Sequence, residues 1–218
     1  MTDLIKQKQQ FRQRALKACK TAHMHDKAHA ATQLAAQFMA CSMVRNFLTA
    51  ETIIGGYVAT GHEIDPTDLL KQAARLDMQC ALPIITADMG SDADTGEMVF
   101  KSYQFGDQLN TGKFGILEPS AQADSLVPQL ILVPLIAFDK ACNRLGRGGG
   151  HYDRYLKKWR AHNRAQGKKL GKAQANMAIG LAYEAQGMPA VPCQPHDEAL
   201  DMIITPTNIV RPTQKVRP

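Results

Sequence analysis

The chain has 218 residues, 44% of them hydrophobic and 21% charged, with a formal net charge of +6, and a sequence pI near 9.1. That length suits one sizeable domain with a buried core, taken here as residues 1–218, and the composition is that of a soluble globular protein rather than a disordered or fibrous one. The longest apolar run is too short to span a bilayer, and the opening Met1-Thr2-Asp3-Leu4-Ile5-Lys6-Gln7 lacks the apolar core of a secretory signal, so the expected location is the cytoplasm.

In chain order, residues 3–21 read as a helix marked by Ile5, Phe11 and Leu16 among many basic and amide side chains, with Lys8 and Arg12 four apart on one face. Residues 26–49 suit a second helix. Thr52 to Val58 reads as a strand leading into Gly61-His62-Glu63-Ile64-Asp65, and Pro66 can open a helix over 66–77 with Asp65 as its cap. Glu63 therefore stands at the carboxyl end of a strand, where open α/β sheets bind ligands; an ordinary solvated loop acid is the competing reading. Cys80 to Thr86 and Glu97 to Tyr103 are further strands. The polar loop between them holds Asp92, Asp94 and Gly96, but its spacing does not fit an EF-hand and no calcium site is assigned.

The apolar run Leu130 to Phe138 is followed by Asn143-Arg144-Leu145-Gly146-Arg147-Gly148-Gly149-Gly150-His151-Tyr152-Asp153 and then an amphipathic segment. Strand, glycine loop and helix start make a layout for cradling phosphate: glycines let the backbone approach closely, Arg144 and Arg147 carry fixed charge, and helix-start N–H groups receive an anion. Asp153 in the first turn suits Mg²⁺, or simply favours the helix dipole. The pattern is neither a dinucleotide fingerprint nor a Walker loop, and a plain turn remains the alternative for a glycine loop of this kind. Past it, Tyr152, Tyr155, Leu156 and Trp159 share one helical face. Lys157, Lys158, Arg160, Arg164, Lys168, Lys169 and Lys172 make a solvated basic face, without the interleaved aromatics of an RNA-binding stripe. Residues 176–183 and 200–204 read as short strands, with a proline-rich loop from Pro189 to Pro195 between them.

Five cysteines without a Cys-x-x-Cys pair argue for reduced thiols, and Cys142 beside the glycine loop reads as a passive small residue. His23, His25 and His29 lack a completing ligand, so a surface or helix-junction role is expected of them. Helices alternating with apolar strands give an α/β fold with a mostly parallel sheet flanked by helices. The positive charge suits anionic partners, and a basic nucleotide- or RNA-binding regulatory module without turnover is the main alternative to an enzyme.

The stretch Val133 to Leu156 resembles the signature of the 5-formyltetrahydrofolate cyclo-ligase (5,10-methenyltetrahydrofolate synthetase) family. Lys8-x-x-Phe11-Arg12, Gly61-His62-Glu63-Ile64-Asp65, Gly115-Ile116-Leu117-Glu118-Pro119, and Ile179 to Gln186 with His196-Asp197 are similar to other landmarks of that family, in the same order. The resemblance implies an architecture related to the ribose-phosphate isomerase and CoA-transferase folds. It also implies cyclisation of 5-formyltetrahydrofolate, with or without a polyglutamate tail, to 5,10-methenyltetrahydrofolate at the expense of ATP, with Mg²⁺. The implied ATP contacts are Lys8, Arg12, Arg144, Gly146, Arg147, Gly148, Gly149, Gly150, His151 and Tyr152, of which Arg144 and Arg147 are catalytic; Glu63 and Tyr152 meet the folate and Asp153 the metal. Tyr57, Met89 and Phe114 are further candidates for the folate wall. No nucleic acid, no membrane and at most a weak dimer are expected. Many members carry lysine at the place of Gly149 and an aromatic at that of His151, so the side-chain contacts there are lost or changed.

Overall fold

The computed structural model describes residues 3–86, 96–112, 115–170 and 176–212. The two helices expected before residue 50 are one, α1 (Asp3–Ala40, 38 residues), roughly 57 Å long at the usual rise of ~1.5 Å per residue. Nothing in Ala22-His23-Met24-His25-Asp26 breaks a helix, since neither glycine nor proline interrupts it. The apolar marks also differ from expectation. Leu16 is 41% exposed, and the buried contacts of the amino-terminal half are made by Ala15 and Cys19.

The main sheet has eight strands: β1 (Ile53–Gly55), β2 (Gln79–Ile85), β3 (Met98–Ser102), β6 (Ser125–Leu126), β7 (Leu130–Pro134), β10 (Met177–Leu181), β11 (Met202–Ile204) and β12 (Ile209–Val210). Two small hairpins lie outside it, β4 (Asn110–Thr111) with β5 (Leu117–Glu118) and β8 (Ala137–Phe138) with β9 (Arg144–Leu145). The order is β12-β11-β10-β7-β1-β2-β3-β6. The inner strands β11, β10, β7, β1 and β2 run parallel, with antiparallel pairings only towards the two edges.

Strands covered on both faces read as unbroken apolar runs, which is why Leu130 to Val133 and Met177 to Leu181 are buried throughout. On one face Ile54, Leu130, Leu132 and Ile179 pack against Leu34 and Phe38 of α1 and Leu69 and Leu70 of α2 (Thr67–Arg75). On the other, Ile131, Val133 and Ala178 pack against Leu156 and Trp159 of α3 (His151–Leu170). The Trp159 indole N–H ends on the Pro128 carbonyl at 2.7 Å, satisfying the one polar atom that side chain buries. The N-cap is Pro66, one residue later than expected, and Asp65 still shapes the helix start, its Oδ1 accepting the Thr67 N–H at 2.9 Å and the Thr67 hydroxyl at 2.6 Å.

Two expected strands are shorter than their apolar runs. The first pairs only over Ile53–Gly55, and the long run ends at Pro134, which has no N–H to extend the ladder. Ala137 and Phe138 instead fold back on Arg144 and Leu145. One carboxylate shapes that reversal. Asp139, 5% exposed, accepts the N–H groups of Ala141 (2.9 Å), Asn143 (3.1 Å) and Val191 (2.9 Å) and the Asn143 amide (3.0 Å). The amino-terminal half of α1 lies over this hairpin through Ala15, with Phe11 against Ile136, Ala137 and Leu145. Residues more than 120 positions apart thus meet at the mouth of the glycine loop. No helix among the described residues is long and apolar enough to cross a membrane.

Candidate active site

A cavity of about 400 Å³ opens at the carboxyl ends of the parallel strands, where α/β sheets bind ligands. Each of Lys8, Arg12, Glu63, Arg144, Gly146, Arg147, Gly148, Gly149, Gly150, His151, Tyr152 and Asp153 lines it, so the fold brings the whole expected set together. Tyr57 lines it too, whereas Met89 and Phe114 lie outside the described residues. The apolar wall comes from Ile85, Met98 and Leu135, which had no site role from sequence, and from Ile116 and Leu117 of the Gly115–Pro119 landmark, which had none assigned.

The loop is held open as a backbone cradle. Gly148 and Gly150 adopt φ of +116° and +64°, which side-chained residues rarely adopt. Arg12 reaches over it, donating from Nε to the Gly146 carbonyl at 3.0 Å, with its guanidinium carbon 3.5 Å from where a Gly148 Cβ would stand. At Gly149 a Cβ would meet His151 Cδ2 at 2.8 Å, so the imidazole fills the space that a side chain there would need. A side chain at 149 would therefore require the His151 imidazole to move. Arg154 fastens both, donating to the Gly149 carbonyl at 2.9 Å and lying 3.0 Å from His151 Nδ1.

The cations arrive already partnered. Arg144, nearly buried, bridges Asp153 Oδ1 (2.9 Å) and the Glu198 carbonyl (2.6 Å). The same Asp153 oxygen accepts the Glu198 N–H at 3.0 Å. Lys8 Nζ bonds Asp197 Oδ2 at 2.6 Å and Gln194 Oε1 at 3.2 Å. Burial pushes the Asp197 carboxyl up, but the bonds from Lys8 and the Gln194 N–H outweigh it and the pKa lies below the ordinary value. Arg147 donates to Glu63 Oε1 at 2.9 Å and to the Thr60 carbonyl at 2.7 Å, while Glu63 Oε2 takes the Thr60 N–H and hydroxyl at 2.9 and 3.1 Å.

Asp197 and Gln194 had no assigned role from sequence, since a proline-rich loop gives no spacing that points at Lys8. Arg160 corrects the solvated basic face. Its side chain is 11% exposed and grips Glu198 Oε2 (2.6 Å), the Ala199 carbonyl (2.8 Å) and Asp201 (3.3 Å), whereas Lys157 and Lys158 are exposed as expected. His23 lies inside the continuous α1 rather than at a junction between two helices, its Nδ1 3.2 Å from the Tyr183 hydroxyl and its ring packed on His62. No group of three potential metal ligands occurs among the described residues. Cys142 is buried and takes a left-handed φ of 58° in the Asp139 turn.

Two tyrosines face Glu63 from the cavity wall, both pushed well above the ordinary phenol value, first by burial and next by that carboxylate. Tyr57 satisfies its hydroxyl on the Ile64 carbonyl at 2.7 Å. The Tyr152 hydroxyl is fully buried and has no partner among the described residues. Buried hydroxyls seldom go unmatched, so an unpartnered one in a cavity wall marks a place for a ligand.

The model of the 5-formyltetrahydrofolate cyclo-ligase family matches residues 4–206. This chain belongs to that family. A 5-formyltetrahydrofolate cyclo-ligase of Escherichia coli is 27% identical over 151 residues, covering 67% of this chain and 74% of that protein. A probable cyclo-ligase of Schizosaccharomyces pombe is 33% identical over 128 residues, a stretch spanning 53% of this chain and 60% of its relative. The solution structure of 5,10-methenyltetrahydrofolate synthetase from Aquifex aeolicus superposes with a TM-score of 0.70 at 21% identity, covering 97% of this chain and 95% of that one. The synthetase from Mycoplasma pneumoniae gives 0.62 at 20% identity over 91% and 98%. The cyclo-ligase family thus shares this fold, and the cavity lies within the matched residues.

Proposed function

We propose that this chain converts 5-formyltetrahydrofolate and ATP to 5,10-methenyltetrahydrofolate, ADP and phosphate. Membership of the cyclo-ligase family supports the ligase activity, the folate substrate and ATP as co-substrate. The observation that carries the reading at this site is the junction of two unlike walls: an apolar wall suited to a pterin meets a glycine cradle ringed by Lys8, Arg12, Arg144 and Arg147.

In the reaction, the formyl oxygen attacks the γ-phosphorus as the bond to ADP breaks, leaving an iminium phosphate. N10 then attacks the formyl carbon, the carbon–oxygen bond breaks, and phosphate leaves with N10 giving up its proton. No protein nucleophile is needed. The protein aligns oxygen and phosphorus, neutralises the phosphoryl charge and excludes water. The glycine-loop N–H groups and the cationic ring serve the phosphates, and Glu63 and Tyr152 the folate.

The donor set fits Mg²⁺, which keeps several waters and takes one or two carboxylates beside the phosphates. Asp153, at the cavity beside the glycine loop, would be the carboxylate that holds it, and Arg144 and the Glu198 N–H, both bonded to its Oδ1, would orient it. The ion would supply charge neutralisation at the phosphates. Purified protein with Mg-ATP and 5-formyltetrahydrofolate should yield the near-ultraviolet absorbance of the methenyl product with ADP in equal amount. ADP release without that absorbance, or neither, refutes the reading.

A further inference from the structure

Glu63 and Arg147, which the proposed reaction gives to different substrates, are bonded to each other at 2.9 Å. The pair is asymmetric. Glu63 is largely buried, at 9% side-chain exposure, and its second oxygen is occupied by Thr60, while the Arg147 side chain is 50% exposed. Gly61, in a left-handed conformation, would place a Cβ 3.4 Å from the guanidinium, which lies over that bare backbone. The carboxylate is thus the fixed half of the pair and the arginine the half with room to move.

We infer that Glu63 is a positioning residue for Arg147, withholding the guanidinium from the nucleotide until the folate takes its place on the carboxylate. The inference rests on the folate reading of Glu63 given above. A buried carboxylate stripped of its partner is costly, so the arginine leaves readily only when another donor replaces it. The amino and ring N–H groups of a pterin are such donors. Folate binding then releases a positive charge beside the glycine loop, and ATP alone meets an arginine held back. Coupling of this kind is reciprocal, so the nucleotide must tighten the folate by the same factor that the folate tightens the nucleotide. It also restrains hydrolysis, because water meets the γ-phosphate before the arginine is in place.

Calorimetry on the intact wild-type protein tests this with 5-formyltetrahydrofolate and a non-hydrolysable ATP analogue, each titrated with and without the other. Each ligand is expected to bind roughly tenfold tighter in the presence of the other, within the usual range of coupling between sites. Glu63→Gln keeps an acceptor for Thr60 but removes the charge that holds Arg147. It should bind the analogue without folate about as tightly as wild type does with folate, and should release ADP from ATP several-fold faster than wild type when folate is absent. Independent binding in wild type overturns the inference, as does coupling that survives in Glu63→Gln. If that variant does not fold, the Arg147 Nε–H resonance of wild type reports instead: it should move on adding folate alone, and a resonance unmoved by folate overturns the proposal. Wild type that makes the methenyl product yet shows no coupling defeats the gate only, whereas wild type that makes no product defeats the reading beneath it as well.

Discussion

At the residue scale, charge and an unpaired hydroxyl lead to different expectations. Arg147→Ala leaves the largely buried Glu63 carboxylate without its cation, so the variant should melt below wild type. Loss of the arginine should lower kcat by roughly 10- to 100-fold, the equivalent of a charge-assisted contact of about 1.4–2.7 kcal/mol; turnover at the wild-type rate would remove Arg147 from catalysis. Tyr152→Phe works in the opposite sense on the fold. Its hydroxyl is buried without a partner among the described residues, so deleting it should hold or raise the melting temperature, by up to about 1 kcal/mol of stability. If the hydroxyl meets a ligand, kcat/KM falls in the same protein. A variant that is both destabilised and fully active would count against a ligand-facing hydroxyl. The glycine loop, its arginines and Asp153 were legible because glycine conformation and local charge are properties of a short segment. That the His151 imidazole occupies the space a side chain at Gly149 would need was not, since the imidazole turns back over the backbone only in three dimensions.

At the element scale, α3 does more than present its first turn to the cavity. Asp153 and Arg160, seven residues apart on one helical face, grip the same strap, Asp153 through the Glu198 N–H and Arg160 through the Glu198 carboxylate and the Ala199 carbonyl. The strap carries Gln194 and Asp197, which hold Lys8. Arg160→Ala should therefore raise the KM for Mg-ATP several-fold while the KM for folate stays near the wild-type value. Arg160→Lys should recover part of the loss, since it restores the charge without the two-pronged grip; equal effects on both KM values would make Arg160 a general stabiliser of the fold. Sequence put Arg160 among solvated lysines because a charge run carries no sign of which member turns inward. It likewise split α1 in two, because its apolar positions follow two partners in succession, the hairpin for Ala15 and the sheet for Leu34 and Phe38, rather than one stripe.

At the scale of the whole molecule, the Lys8–Asp197 bridge ties the first turns of the chain to a loop 189 positions away. The folded-state pKa of Asp197 is depressed, so its contribution to stability is complete above the ordinary carboxylate value of ~3.9 and fades as pH falls from there through the lower folded value. Asp197→Asn should melt below wild type at pH 7, and the gap should close on acidification below about 4; a gap independent of pH would mean that the bridge contributes nothing through charge. By itself the sequence determined the parallel sheet, from apolar runs long enough to be buried on both faces, and a positively charged glycine loop with left-handed turns at Gly148 and Gly150, from residue types that act where they stand. Only the tertiary structure decided how the charges pair: Arg147 with Glu63, Arg144 with Asp153, Lys8 with Asp197. Two of those pairings join residues 84 and 189 positions apart, and the third joins a hairpin strand to the helix that follows it; an ion pair is set by which surfaces the fold brings within about 4 Å, a distance no local pattern encodes.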